Sequence, residues 1–159
     1  MKLTLTQTAY NKAILAVSEN TTFDIFNGTL TGLPITAMKV LGTGNEICDF
    51  NTINGKFIVY EAIKNDPIIA NAQLIEFTFS LLATDYGIYP ITIKDLVGAK
   101  TDATKDTIQE VNAVMAIKFS QADLVATVAQ VIGKGTAGID ANKDGIIDIL
   151  DVQTIVNNL

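Results

Sequence analysis

Apolar and polar residues alternate along the first 119 of the 159 residues of the chain. Successive side chains of a β-strand point to opposite faces, so a period of two predicts half-buried strands. In AQLIEFTFSLL at 72–82, the alternation places Leu74, Glu76, Thr78 and Ser80 on one face and Ile75, Phe77, Phe79 and Leu81 on the other. Eight or nine such segments separated by turns predict a mainly-β fold, an antiparallel β-sandwich over residues 1–119.

An Asn54-Gly55 pair lies between two of these segments, 46–50 and 56–63. Both residue types tolerate the positive φ that a tight hairpin turn requires. We therefore expect the two segments to pair as a hairpin.

The period changes at Ser120, where a polar residue followed by Asp123 is typical of a helix N-terminus. The first predicted helix carries an apolar stripe of Leu124, Val128, Val131 and Ile132. A second short helix is predicted to direct Ile149, Val152, Ile155, Val156 and Leu159 toward a partner surface. We therefore assign residues 120–159 to a separate, small helical module.

An acidic loop, DANKDGIIDILD, runs from residue 140 to residue 151 between the two predicted helices. A twelve-residue calcium loop takes its ligands from the first, third, fifth, seventh, ninth and twelfth places. Here those places hold Asp140, Asn142, Asp144, Ile146 through its backbone carbonyl, Asp148 through a water, and Asp151. Gly145 occupies the sixth place, where the chain turns sharply.

This spacing predicts one bound Ca²⁺ ion in an EF-hand-like loop. The alternative is a solvated acidic turn before a helix N-terminus, which accounts for one or two carboxylates and not for four at this spacing. Mg²⁺ fits less well because it resists a cage built entirely from protein ligands.

Composition excludes several functions. The net charge is −6, so a nucleic-acid partner is not expected. The chain has neither histidine nor arginine, which removes the commonest general base and the bidentate clamp for oxyanions.

The single cysteine, Cys48, is predicted to be a small buried apolar residue in a strand, since no histidine can activate it as a nucleophile. No apolar run reaches 18 residues, so no membrane span is expected. We predict no catalytic residues and no organic cofactor.

The C-terminal loop resembles a dockerin repeat, because its twelfth place is an aspartate followed by Val152 and a short helix. FSQADLVATVAQVIGKG at 119–135 resembles the end of a first repeat, with Asp123 where Asp151 stands in the second. The residues upstream of Asp123 read as strand and not as a ligand loop. The resemblance implies a degenerate dockerin-like module with a single calcium loop. Dockerins bind cohesins in extracellular assemblies.

The sandwich segment resembles a cohesin domain in three stretches: LTLTQTAYNKAILAVS at 3–18, NAQLIEFTFSLLATDYGIYPITI at 71–93, and the Asn-Gly hairpin between them. The resemblance implies a cohesin-like, jelly-roll type of sandwich. Cohesins usually have one or two more strands before the segment that matches LTLT. An unpaired strand edge at this place invites a strand donated by a neighbouring copy.

Two functions are predicted from these features. The first is a non-catalytic, calcium-binding assembly protein, extracellular or at the cell surface, that mediates protein–protein association. Its partner is a cohesin- or dockerin-type protein or copies of itself, in a homo-oligomer or filament.

The alternative is a carbohydrate-binding module of an extracellular glycan-degrading system, with polysaccharide as its ligand. Sugar platforms need exposed aromatic rings, and tryptophan is absent. An enzyme using Asp49, Glu61, Glu76 or Asp95 is a weak third hypothesis, because these acids lie singly along the chain. A calcium sensor is weaker still, since sensors work with paired loops and only one complete loop is present.

Overall fold

A computed structural model describes residues 1–42, 45–63, 67–100 and 102–159. Within these ranges the chain forms ten strands followed by two helices. The strands are β1 (Leu3–Ala9), β2 (Lys12–Val17), β3 (Ile25–Thr31), β4 (Ile35–Val40), β5 (Glu46–Phe50), β6 (Lys56–Glu61), β7 (Asn71–Phe79), β8 (Gly87–Ala99), β9 (Lys105–Thr107) and β10 (Val111–Ile117). The helices are α1 (Gln121–Val131) and α2 (Ile149–Asn157).

The strands form two sheets. The four-stranded sheet has the order β1-β2-β7-β4, and its neighbouring strands are antiparallel. The six-stranded sheet has the order β10-β8-β3-β6-β5, with β9 pairing with β8. Its pairs β3–β6, β3–β8, β5–β6 and β8–β9 are also antiparallel. The predicted mainly-β antiparallel sandwich with two short C-terminal helices is therefore confirmed.

The core lies between the inner faces of the two sheets. Phe57 of β6 and Phe77 of β7 come from different sheets, and their ring centroids are 5.6 Å apart with an angle of 67° between the rings. Phe26 of β3 meets Phe57 edge-on at 6.2 Å. All three rings are at most 4% exposed. Edge-to-face rings at these distances attract each other in addition to the apolar area that they bury.

Strand β7 departs from simple alternation at one point. Ile75, Phe77, Phe79 and Leu81 are buried as predicted, but Leu74, predicted on the opposite face, is also fully buried. The pairing of β2 with β7 is irregular here, since Leu15 is opposite Ile75 while Val17 is opposite Asn71. The additional residues on β7 form a bulge, and a bulge interrupts the alternation of side chains between the two faces.

The predicted hairpin of β5 and β6 is confirmed, and Phe50 and Phe57 are the paired residues next to its turn. The turn is longer than the two-residue turn predicted for Asn54-Gly55. Gly55 has φ of +70°, whereas Asn54 does not have a positive φ. The Asn51 side chain accepts hydrogen bonds from the backbone N–H groups of Ile53 and Asn54, at 2.9 and 3.3 Å. These local bonds stabilise a wider turn, in which only the glycine takes the left-handed conformation.

The chain divides into two compact units. The sandwich unit comprises Met1–Ala83 and Ile88–Met115, and the helical unit comprises Thr84–Gly87 and Ala116–Leu159. The division of the sequence into 1–119 and 120–159 stays a prediction.

The two helices begin where the sequence predicts but bury fewer apolar residues than expected. In α1 the one buried residue is Thr127, and two members of its predicted stripe, Val128 and Ile132, are exposed. In α2, Ile155 is buried, while Ile149 and Val156 are exposed, as is Leu159 beyond the end of the helix. Residue spacing correctly predicts which residues share a helix face, but burial of that face also requires a neighbouring element to cover it.

Phe77→Ala is expected to destabilise the protein by about 3–5 kcal/mol, because it removes a fully buried ring at the contact between the sheets. The measurement is the free energy of unfolding by urea, followed by tyrosine fluorescence and circular dichroism. Ile53→Ala is the control, since Ile53 is 94% exposed and its truncation should change the stability by no more than about 0.5 kcal/mol. Equal effects of the two substitutions would contradict this account of the core.

Candidate metal site

The acidic loop leads directly into α2, and its last two predicted ligands form the N-terminus of that helix. Asp148 is the N-cap residue, and its carboxylate accepts a hydrogen bond of 2.8 Å from the backbone N–H of Leu150. Asp151 accepts a 2.8 Å hydrogen bond in return from the backbone N–H of Asp148. This reciprocal capping box satisfies N–H groups that a helix N-terminus otherwise leaves without partners.

The first half of the loop curls around its own side chains. The two carboxylate oxygens of Asp140 accept hydrogen bonds from the N–H groups of Asp144 (3.1 Å) and Gly145 (2.8 Å). Asn142 Oδ1 accepts from the N–H of Asp144 at 3.0 Å, and Asp144 Oδ1 accepts from the N–H of Ile146 at 2.9 Å. The bonds to Asn142 and Asp144 are successive Asx turns, in which a side-chain oxygen accepts from the backbone N–H two residues further on. Asp140 accepts from N–H groups four and five residues ahead.

Gly145 has φ of +88°, as its sixth place in the loop predicts. A Cβ built at this position meets no heavy atom within 4 Å. The glycine is therefore required for its backbone conformation and not for space.

Asp151 joins the two ends of the loop. Its side chain is fully buried, and Oδ1 accepts hydrogen bonds from the N–H groups of Ala141 (2.7 Å) and Asn142 (3.1 Å). Burial by itself would raise the pKa of this carboxyl group. Hydrogen bonds from the backbone N–H groups of Asp148, Asn142 and Ala141 outweigh burial and hold the pKa below its usual value. Asp151 is therefore a carboxylate at neutral pH.

The structure brings the predicted ligands of this loop together through hydrogen bonds. Asp140 and Asn142 both contact the backbone N–H of Asp144, Asn142 Nδ2 donates to Asp144 Oδ2 at 2.9 Å, and Asp148 contacts Asp151. No lysine in the described part of the chain forms an ion pair with these carboxylates. These carboxylates accept hydrogen bonds from backbone N–H groups and from the neutral Asn142 amide. Carboxylate, amide and carbonyl oxygens are the ligands that Ca²⁺ prefers. The donor chemistry therefore fits a hard divalent cation.

The described residues contain no group of three or more Asp, Glu, His or Cys side chains arranged to hold a metal ion by themselves. The predicted set also includes the Asn142 amide and the backbone carbonyl of Ile146, which lie outside such a group. The calcium ligands therefore stay a prediction.

The first helix has the same capping arrangement as α2 but a different partner. Ser120 and Asp123 form a capping box at α1, with the Ser120 N–H and hydroxyl both donating to Asp123 Oδ2 at 2.7 Å. Tyr86 also donates a hydrogen bond to the Asp123 carboxylate, and the Tyr86 ring stacks on Phe119 at 4.0 Å. Burial and the nearby Asp123 carboxylate raise the pKa of Tyr86. Sequence reasoning missed Tyr86, because nothing in the local pattern links residue 86 to a helix that begins at residue 121.

Cys48 lies in β5 and is half-buried, with its Sγ 3.7 Å from Met38 Sδ. Burial, together with the charge of Asp49, raises the pKa of Cys48 to about 12. The thiol is therefore protonated at neutral pH and is a poor nucleophile.

Two solved structures share the architecture. A non-cellulosomal cohesin from the hyperthermophilic archaeon Archaeoglobus fulgidus superposes with a TM-score of 0.56 at 12% identity, over 76% of this chain and 93% of that one. A cohesin module from a Clostridium perfringens family 33 glycoside hydrolase gives a TM-score of 0.53 at 8% identity, over 66% and 82%. The chain has a cohesin-like fold. At these identities the likeness concerns the fold alone.

The sequence of this cohesin-like chain matches no protein-family model and no curated protein sequence. The dockerin-like character of residues 120–159 stays a prediction. Among the described residues, no helix is both long and apolar enough to cross a membrane.

Acidification is expected to destabilise the helical unit through Asp151. A carboxyl group whose pKa is lowered by folding contributes stability that is fully present above its ordinary pKa of 3.8 and is lost as the pH falls through the folded-state value. We expect helicity at 222 nm, measured in EDTA, to be constant from about pH 7 to about pH 5 and to fall below about pH 4.

Asp151→Asn tests this assignment. The variant should be less stable at pH 7, because an amide cannot accept the same three N–H hydrogen bonds with the strength of a carboxylate. Its stability should also depend less on pH in the acid range. Asp102→Asn, at an exposed turn of the sandwich unit, is the matched control. An acid transition of the helices that is identical in wild type and Asp151→Asn would exclude Asp151 as its source.

Proposed function

We propose that this chain is a non-catalytic, calcium-binding assembly protein that associates with other proteins outside the cell or at its surface. The observation that carries the proposal is the acidic loop, in which one buried carboxylate holds both the loop and the N-terminus of α2. Calcium bound by the oxygens of this loop would offset the mutual repulsion of its four carboxylates. The ion would thereby stabilise the helical unit in its folded form.

The ligands we assign are the side chains of Asp140, Asn142, Asp144, Asp148 and Asp151, with the backbone carbonyl of Ile146. One ion is expected, because the residues upstream of Asp123 form β10 and not a ligand loop. At α1 the Asp123 carboxylate accepts a hydrogen bond from Tyr86.

A protein partner is favoured by the cohesin-like fold and by the exposed face of its larger sheet. Ile47, Tyr60 and Ile25 lie side by side across β5, β6 and β3. They point away from the core, since their neighbours Phe26 and Val59 are buried. Ile47 is 41% exposed. A row of apolar side chains across the outer face of a sheet is suited to contact with another protein.

Strand donation by a neighbouring copy is a second route to assembly. β1 is the outermost strand of its sheet. A cavity of about 460 Å³ lies beside it, lined by Met1–Leu5 and Gln109–Asn112. The β1 segment from Leu3 to Ala9 contains no charged residue that would discourage pairing with another strand.

The carbohydrate-binding alternative has less support. Six of the seven phenylalanine rings are buried, and Phe50 is only 37% exposed. Of the tyrosines, Tyr10 is 45% exposed. Sugar binding on a sheet surface uses several coplanar exposed rings, and the described residues offer no such platform. Catalysis also has little support, since no histidine or arginine is present and Cys48 is a protonated thiol.

Isothermal titration with Ca²⁺ tests the metal site. We expect one ion per chain and a higher melting temperature in Ca²⁺ than in EDTA, because a ligand that binds the folded state stabilises it. Asp140→Ala removes one ligand and should weaken binding by at least about 100-fold. Asp49→Ala, an exposed acid on β5, should bind calcium like the wild type. If the wild type shows neither binding heat nor a shift in melting temperature at millimolar Ca²⁺, the calcium site does not exist.

A further inference from the structure

The turn between β5 and β6 places an exposed asparagine directly before a glycine. Asn54 Oδ1 accepts a hydrogen bond of 3.0 Å from the backbone N–H of Lys56. This is an Asx turn, in which the asparagine side chain folds toward the backbone that follows it. The ring closed by this hydrogen bond contains both the side-chain carbonyl carbon of Asn54 and the backbone nitrogen of Gly55. These are the two atoms that join when an asparagine cyclises to a succinimide.

The fold requires a glycine at position 55. Its φ is +70°, and a Cβ at this position would lie 2.1 Å from the carbonyl oxygen of Leu30. The Gly55 carbonyl also accepts a 2.9 Å hydrogen bond from the Leu30 N–H, which fixes the glycine against β3. Since no side chain fits here, the nitrogen of Gly55 is unhindered by its own residue. The packing that demands the glycine therefore also creates a reactive Asn-Gly pair.

One backbone hydrogen bond opposes the cyclisation. The Gly55 N–H donates to the Asn51 carbonyl at 2.9 Å, and this bond must open before the nitrogen can attack. Residues 51–54 are all exposed and belong to the turn. Exposed turns open by local motions that cost far less free energy than unfolding the core. The bond therefore slows the attack without preventing it.

The chain contains a second Asn-Gly pair in a different environment. Asn27 and Gly28 lie in the middle of β3, where Asn27 is opposite Ile58 of β6 on one side and Val97 of β8 on the other. The side chain of a strand residue stands roughly perpendicular to the sheet, and not along the backbone that follows. Cyclisation at Asn27 would require β3 to leave both neighbouring strands. The fold thus holds one Asn-Gly pair in a reactive geometry and the other in a protected one.

We propose that Asn54 is a site of spontaneous deamidation in the folded protein and that Asn27 is protected from the same reaction. The Gly55 nitrogen attacks the side-chain carbonyl carbon of Asn54, its proton passes to the departing amide, and ammonia leaves as the succinimide forms. The reaction is intramolecular, so holding the two atoms close favours it. Water then adds to either ring carbonyl and opens the ring to aspartate or isoaspartate. One water is consumed and one ammonia is released, with no oxidation or reduction.

The products change both the charge and the backbone of the turn. Either product adds a negative charge to a chain whose net charge is already −6. Isoaspartate also inserts a methylene group into the main chain before Gly55, which displaces the glycine from Leu30 and removes the side-chain acceptor of the Lys56 N–H. We therefore expect chains that carry isoaspartate to be more acidic and to melt at a lower temperature.

Peptide mapping of the full chain tests the proposal, after incubation in mildly alkaline buffer with and without urea. Cleavage after lysine separates Asn27, in the peptide 13–39, from Asn54, in the peptide 40–56. Mass spectrometry detects the replacement of NH₂ by OH, and chromatography separates the aspartate and isoaspartate forms. In the folded chain Asn54 should convert at least about tenfold faster than Asn27, because β3 opens far less often than the turn. In urea the two pairs should convert at similar rates.

Equal rates at Asn54 and Asn27 in the folded chain would overturn the proposal, as would a folded chain unmodified at Asn54 under conditions that modify it in urea. Asn54→Gln should abolish the acidic species seen by ion exchange, since its longer side chain closes a ring less readily, while Asn27→Gln should leave them unchanged. Circular dichroism checks that both variants are folded. Acidic species that persist in Asn54→Gln at the wild-type level would exclude Asn54 as their source.

Asn54→Asp separates the effect of charge from that of the backbone. This variant carries the added charge on an ordinary main chain, so the purified isoaspartate form should melt at a lower temperature than Asn54→Asp. Equal melting temperatures would show that the inserted methylene does not loosen the turn.

Discussion

The contact between Phe57 and Phe77 joins the two sheets, and the sandwich depends on it. Each sheet by itself would expose an apolar face to water. The buried rings of Phe26, Phe57 and Phe77 fill the centre of the core between the two sheets. The bulge that buries Leu74 beside Ile75 adds apolar area to the same strand. Because the inner faces of the sheets form the core, the outer faces are available for charged residues and for the apolar row of Ile25, Tyr60 and Ile47 on β3, β6 and β5.

The helical unit is held together differently, by polar contacts. Few of its apolar side chains are buried, and its fully buried side chains include Thr127 and Asp151. Each helix begins with a capping box whose aspartate also binds a more distant group: the Tyr86 hydroxyl at Asp123, and the Ala141 and Asn142 N–H groups at Asp151. Such a unit has little hydrophobic stabilisation of its own. A bound cation and a partner surface are the two additions that would stabilise it most.

The two halves of the chain also differ in how far their sequence predicts their structure. Alternation correctly predicts the sandwich and the burial of Phe77 and Phe79, because strand periodicity is a local property. The beginning of α1 follows from Ser120, which was predicted as its N-cap and accepts a bond from a backbone N–H three residues away. The role of Asp148 as the N-cap of α2 was not predicted. The wide turn at Asn51 and the bulge at Leu74 did not follow, since each depends on a competing local bond or on the register of a neighbouring strand.

The sequence by itself determined most strand segments, both helix segments, the conformation of Gly145 and the residues that share each helix face. All of these depend on interactions within a few residues. The sequence did not predict the end of β8 or the short strand β9, which lie in a polar segment expected to be a loop. The tertiary structure alone decided the order of strands in the two sheets, the hydrogen bond of Tyr86 to Asp123 and the exposure of apolar side chains such as Val128 and Val156 on the helices. These depend on which distant segments meet, and an apolar pattern states that a face can be buried without stating what covers it.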